Sequence, residues 1–269
     1  MTPGDAAGAT PRPTPGRRSR SELRALLLRA GIEVLRQEGL GTGAEQLTFK
    51  RVFERVAATT GVRVTNASVI GRIWDNLADY QSAVVAAVAS EEVTDQEEAV
   101  VAATAGYLAT VDRSTPRARR AAVREVMRLA AEANLSVGTT SRPWATVIGI
   151  WALASGARRA GVPGPVYDAL RTSYDALEDR AVAETEALAA FFGLRPRPPF
   201  DARQFTTALT ALVEGSALRD RAGAGMRGVE LPTGPDGAPQ AWTVLGIGMD
   251  ALVEQFFEVD PDWAPGPGG

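Results

Sequence analysis

In segment after segment of this chain, apolar residues recur three and four positions apart, the spacing of one helix face. Leu23, Leu27, Ala30 and Val34 form one such stripe, Phe49, Val52, Phe53, Val56 and Ala57 a second, and Tyr80, Val84 and Val88 a third. Val123, Val126, Met127 and Ala130 follow the same rule, as do Phe205, Leu209, Leu212 and Val213. No segment gives a series of alternating strands, and no internal repeat appears. The pattern predicts an all-α chain, and its 269 residues are enough for one large or two ordinary domains around a real core.

Start and stop signals cut this pattern into pieces. A first helix over about 21–37 is opened by Ser19 and Glu22 at capping-box spacing and stopped at Gly39. Two short helices over 47–74 follow, then one long helix or two from residue 77. Thr115-Pro116 opens a helix over about 116–135, and an apolar helix over 143–159 ends at GVPGP. A long helix over 166–192 stops at LRPRPP, after which Asp201 and Gln204 start another, over 201–218. A glycine-rich loop over 221–239 lacks a phosphate-loop Lys-Ser/Thr, and the last helix is expected over 240–258. Residues 1–16 are too rich in Pro and Gly to build a core, and the tail after Asp260 is expected to fray.

Composition narrows function more than fold. The chain has no His and no Cys, which removes Ser-His and Cys-His nucleophile pairs, the usual zinc ligand sets and every disulfide. No cofactor and no metal site is expected, and an enzyme is not. The longest apolar stretch, over 144–154, has the length of a core helix rather than a membrane span, and the N-terminus lacks a signal-peptide layout. A cytoplasmic protein is the expectation. Glu91, Glu92, Asp95, Glu97 and Glu98 read as a solvated face. Arg117, Arg119, Arg120, Arg124 and Arg128 read as solvated or paired with acidic neighbours.

Charge is unevenly spread. Residues 1–74 hold 12 basic and 6 acidic side chains, a net +6, so the remainder carries −9 of the overall −3. A basic front on an acidic body suits a DNA-contacting module attached to a second domain.

Within that front, LTFKRVFERVAATTGVRVTNASVIGRIW over 47–74 reads as two helices joined by a turn at Gly61-Val62. Thr48 caps the first, and Leu47 and Val52 are placed as a hydrophobic staple. The second begins at Thr65-Asn66 and buries Ala67, Val69, Ile70, Ile73 and Trp74, leaving polar or small residues outward. Such a short helix suits insertion into a major groove. Together with the leading helix and the long helix DNLADYQSAVVAAV, this order of elements over 19–88 resembles the TetR family of transcriptional regulators. The turn RVTN departs from the family pattern by carrying extra residues.

Thr65, Asn66, Ser68 and Arg72 are the candidates for base contacts, Asn66 alternatively serving as a helix cap. Lys50 and Arg51 are candidates for phosphate contacts. Arg17, Arg18 and Arg20 form either a basic arm on DNA or a solvated tail. Reading a palindromic site needs two such modules about one helical turn apart, hence a homodimer. Ala208, Leu209, Leu212, Val213, Leu245, Leu252, Val253 and Phe256 on the last two helices are its expected surface, unless they complete the protomer's own core.

The resemblance implies a helical body that takes a small-molecule effector. Tyr107, Met127, Trp144, Trp151, Tyr167 and Tyr174 are candidates to line its pocket, or are plain core, with Asn134 or Arg142 as polar handles. The expected layout is a basic arm over 1–18, a helix-turn-helix domain over 19–76, a regulatory and dimerisation domain over 77–260 and a tail over 261–269. The expected function is a dimeric repressor of double-stranded DNA sites, with no membrane partner. Two alternatives stay open: a carboxylate-only helical enzyme, and a helical interaction module that has lost specific DNA binding.

Overall fold

The structure is a computed structural model that describes residues 19–38, 47–142, 144–146, 148–149, 151–152, 165–225, 228–233 and 237–263. It is mostly helical. The helices are α1 (Arg20–Glu38), α2 (Phe49–Thr60), α3 (Asn66–Val69), α4 (Leu77–Leu108), α5 (Pro116–Thr140), α6 (Pro165–Phe192), α7 (Ala202–Arg221) and α8 (Val244–Phe256). Residues 144–146, 148–149 and 151–152, between α5 and α6, are also helical. Four short strands accompany them, β1 (Leu194–Pro196), β2 (Val229–Pro232), β3 (Pro239–Trp242) and β4 (Phe257–Val259).

The first three helices and the start of α4 share one core. α1 opens on the expected capping box: the Ser19 amide donates to the Glu22 carboxylate at 2.7 Å, and the Glu22 amide to the Ser19 hydroxyl at 3.2 Å. Leu27, Ala30 and Val34 of α1 are buried against Leu47, Val52 and Val56, with Leu23 packed alongside. Tyr80 of α4, with no exposed surface, ties the two ends of this core. Its hydroxyl donates to the Leu27 carbonyl at 2.8 Å, and its ring meets Trp74 edge-on at 4.8 Å and Phe49 at 5.3 Å. Burial pushes the Tyr80 phenol far above its ordinary range, so it stays a hydrogen-bond donor.

α4 belongs to both halves of the molecule. Its 32 residues span about 48 Å at helical rise, so the first turns close the α1–α3 core and the last reach the body. There Val100, Tyr107 and Leu108 pack on a second core built from Val123, Val126, Met127 and Ala130 of α5, Phe192 of α6, Phe205 and Val213 of α7, and Leu245, Met249 and Val253 of α8. Trp144, Ala145 and Ala217 make a third, smaller cluster.

Several expectations need correction. The body contains strands: β1 pairs antiparallel with β4, and β2 with β3, with β2 inside the expected glycine-rich loop and β3 running from its end into the start of the expected last helix. The last helix is accordingly shorter than 240–258, because 239–242 and 257–259 are extended. Ala57 is exposed, so the α2 core face ends at Val56. α5 runs to Thr140 rather than 135, its start capped by Thr115 as expected. Of its arginines, Arg120 and Arg124 pair with Glu254 and Asp250, and Arg128 with Glu125 and Glu132. Arg119 does neither. It is buried, donates to the Asp260 carbonyl at 3.0 Å and stacks over Trp263 at 4.7 Å.

Trp263 is itself held, its indole N–H donating to the Ala190 carbonyl at 2.9 Å, so the chain is tied down beyond Asp260. The expected arm over 1–18, the stop at Gly39 and the tail from 264 lie outside the described residues, as does the expected 153–159 portion of the apolar helix.

Candidate nucleic-acid interface

The segment from α2 to α4 is shaped by two glycines in the left-handed region. Gly61 (φ 71°) ends α2, its amide returning to the Ala57 carbonyl at 2.9 Å. The next four residues alternate in burial, Val62 and Val64 packing on the core while Arg63 and Thr65 are exposed. α3 then runs only from Asn66 to Val69, not to Trp74. Ile70 turns extended (ψ 131°), Gly71 (φ 70°) reverses the chain, and the Gly71 amide donates to the Trp74 carbonyl at 2.8 Å. The Val69 carbonyl takes the Arg72 and Ile73 amides at 3.2 and 2.9 Å, so a compact turn replaces the second half of the expected helix.

This turn changes which side chains face outward. Val69 and Trp74 are buried as the spacing predicts, and Ile73 is half-buried. Ala67 and Ile70 are not: Ile70 is 43% exposed and Ala67 is exposed. Helical periodicity cannot be carried through Ile70, which is extended, and this explains its exposure; Ala67 precedes that break and stands two positions from buried Val69, on the outer side of α3. Arg24 of α1 stands over Trp74 at 5.7 Å and shields its outer side.

Of the expected base-contacting residues, Thr65, Asn66 and Arg72 are exposed on this one surface. Ser68 is withdrawn from it. It is half-buried, its hydroxyl donates to the Thr65 carbonyl at 2.6 Å and it accepts the Thr65 amide at 3.2 Å. That bond pair is the cap of α3, so the helix is capped at Thr65 and Asn66 is left to point outward. Arg63 joins the exposed set. Sequence reasoning passed over it, although the alternation Val62-Arg63-Val64-Thr65 was the signal for it.

At the start of α2, Lys50 is exposed and Arg51 half-buried; the Arg51 amide is taken by Thr48 at 3.4 Å. Arg20 is exposed at the start of α1, while Arg17 and Arg18 lie outside the described residues. The surface thus carries cations and short hydrogen-bonding side chains on a backbone held from beneath by one core. That combination can touch phosphates and base edges.

No family model and no curated protein matches this chain.

The expected effector-pocket residues are dispersed among three packing clusters. Tyr107 and Met127 belong to the α5-centred core, and Trp144 to the small cluster with Ala217. Asn134 accepts from the Gln96 amide at 2.5 Å and donates to the Ala130 carbonyl at 2.8 Å. Arg142 is exposed. Trp151 and Tyr174 stack on each other at 5.0 Å with planes 8° apart, and pack against the α1–α4 core. The Tyr167 side chain lies outside the described residues. Of these residues Trp151 and Tyr174 are in ring contact, and Tyr107 and Met127 share one core.

On α7 and α8, Val213, Leu245 and Val253 are buried in the protomer's own core, and Leu209, Leu212, Leu252 and Phe256 pack against it. The large apolar side chains left outside are Leu218 at 52% and Val244 at 48% exposure, near the C-terminal end of α7 and at the start of α8. Among the described residues no helix is long and apolar enough to cross a membrane, and no three acidic side chains gather as metal ligands. The neighbouring acids Asp250 and Glu254 each face an arginine, an ion-pair arrangement rather than an acid–base couple.

Proposed function

We propose that this chain is a DNA-binding transcriptional regulator of the kind its sequence resembles. It acts as a homodimer and represses from a palindromic duplex site. The observation that supports this most is the outward display of Arg63, Thr65, Asn66 and Arg72 on a short helix and its two flanking turns, fixed by the core of Leu47, Val52, Val69, Trp74 and Tyr80. Arg63 and Arg72 supply cationic reach to phosphate or guanine, Asn66 suits adenine, and Lys50 adds a phosphate contact at the start of α2. The +6 charge of residues 1–74 draws the same surface to DNA.

A dimer through the outer faces of α7 and α8 pairs two such surfaces, with Leu218 and Val244 among the residues it covers. Effector release then needs a ligand that favours one spacing of the two heads over the other.

Retention on random-sequence duplex, measured as salt is raised, tests the DNA reading. Log affinity is expected to fall with log salt with a slope near −0.9 per phosphate contacted. Absence of salt-sensitive retention contradicts it. Leu218→Glu combined with Val244→Glu is expected to convert dimer to monomer in sedimentation while preserving helix content.

A second reading has its own observation. α3 is four residues long and exposes Ile70, an apolar group with no hydrogen-bonding use in a groove. That favours a helical interaction module that has lost specific DNA binding and whose α2–α4 surface meets protein; absence of salt-sensitive retention on duplex selects it.

A further inference from the structure

Ile70 is a large apolar side chain left in the open. It is 43% exposed, whereas Val69 before it has no exposed surface. Backbone bonds fix its place. The Ile70 amide closes the last helical bond, onto the Asn66 carbonyl at 2.8 Å, so Ile70 stands one turn along from Asn66 on the outer side of α3. Beyond it the chain leaves the helix: Ile70 is extended at ψ 131° and Gly71 reverses the direction at φ 70°. The Gly71 amide and an isolated bridge between residues 70 and 74 tie this turn to Trp74. Trp74 is buried in the α1–α4 core, so Ile70 is anchored from beneath.

The surroundings decide what this side chain can meet. Asn66, Ala67, Gly71 and Arg72 beside it in the chain are also exposed, and each is polar, small or cationic. Val62, Val64 and Ile73 pack on the core, so Ile70 is the one large apolar side chain that α3 and its flanking turns leave exposed. A protein-binding face gathers a contiguous apolar patch, which a single isoleucine does not make. From residue 56 to residue 74 the charged side chains are Arg63 and Arg72, with no acid among them. That charge complements a polyanion. The major groove of a duplex offers an apolar group of its own, the 5-methyl of thymine.

We infer that Ile70 reads thymine, its branched side chain packing on the 5-methyl group beside the polar contacts of Asn66 and Arg72. This deepens the proposed DNA binding and rests on it. The half-site then carries thymine at the position Ile70 reaches, and cytosine, which has no methyl there, is disfavoured. The exposure that favours an interaction module is thereby given a use in the groove.

The test uses the full-length protein and the duplex it selects from a random library. Thymines of one half-site are replaced one at a time by deoxyuridine, which keeps the base pairing and loses only the methyl. At one position the replacement is expected to weaken the parent about fourfold, the worth of one buried methyl. Ile70→Ala is expected to bind the thymine site more weakly than the parent and to be indifferent to that replacement, with an unchanged salt slope because no phosphate contact is removed. A site carrying deoxyuridine throughout, bound by the parent as tightly as the thymine site, overturns the inference and leaves the regulator standing. The change lies in the DNA, so no folding defect can produce that result. Equal losses in parent and Ile70→Ala also overturn it, because another residue then reads the methyl. Absence of salt-sensitive retention on duplex overturns both the inference and the regulator, and leaves Ile70 to a protein partner.

Discussion

Gly31 lies on the face of α1 that meets α4, and it measures how closely those helices approach. A methyl group built there falls 2.3 Å from the Tyr80 hydroxyl oxygen and 2.7 Å from a Val84 methyl, where ordinary contact begins near 3.4 Å. Neither neighbour can step aside, because Tyr80 and Val84 have no exposed surface and the hydroxyl is engaged with Leu27. Overpacking of this kind costs roughly 1–3 kcal/mol. Displacing the tyrosine adds about 1 kcal/mol for its hydrogen bond, and alanine's better helix propensity returns about the same. Gly31→Ala is therefore expected to destabilise by about 1–3 kcal/mol. Gly106→Ala is the control: it sits in α4 with nothing within 4 Å of its methyl, so it is expected to be neutral or stabilising by up to about 1 kcal/mol. Urea denaturation gives the difference, and hydrogen exchange shows where it falls, with faster exchange expected in α1 and the first turns of α4. If Gly31→Ala is as stable as Gly106→Ala, the packing of Tyr80 between α1 and α4 is wrong.

Three further outcomes are expected. Arg63→Ala and Arg72→Ala each weaken duplex binding by roughly 1–3 kcal/mol in gel-shift titration, and unchanged affinity for both removes the α2–α3 surface from the interface. Burial raises the Glu214 carboxyl, so its contribution to stability is fully present below the ordinary glutamate range and is lost as pH rises through the raised value. Glu214→Gln, which cannot ionise, is thus expected to melt above the parent at neutral pH and to converge on it below about pH 4; a variant less stable at neutral pH contradicts this. Trp263→Ala, which removes the ring under Arg119 and the bond to Ala190, is expected to cost roughly 1–3 kcal/mol, and an unchanged melt shows that the C-terminal segment does not brace α5 and α6.

What could be read without coordinates was local. Ser19 with Glu22, Thr48, Thr115, and Asp201 with Gln204 each satisfy amides within three residues of themselves, so their caps are written in short stretches of sequence. The core stripes of α1, α4 and α5 were legible for the same reason, since periodicity is a property of one helix. The remainder depended on partners far along the chain. β1 and β4 are three residues each and exist only because residues 194–196 meet 257–259. The length of α3 turns on Ile70 going extended so that Gly71 can bond Trp74, which no helix pattern over 65–74 reveals. Arg119 and Trp263 find each other across more than a hundred residues, as do Tyr80 and Leu27 across 53. At the candidate surface, Thr65, Asn66 and Arg72 were legible as outward residues, while Ser68 was lost to a cap and Arg63 was legible only from the alternation of residues 62–65.

Selection of bound sites from a random duplex library tests the central claim most directly, because it asks for sequence preference without presuming the operator. Two symmetric half-sites spaced one helical turn or a multiple of it are expected, with a base preference at one half-site position that Arg72→Ala relaxes. A pool that stays random after repeated rounds contradicts the assignment of the α2–α3 surface to DNA.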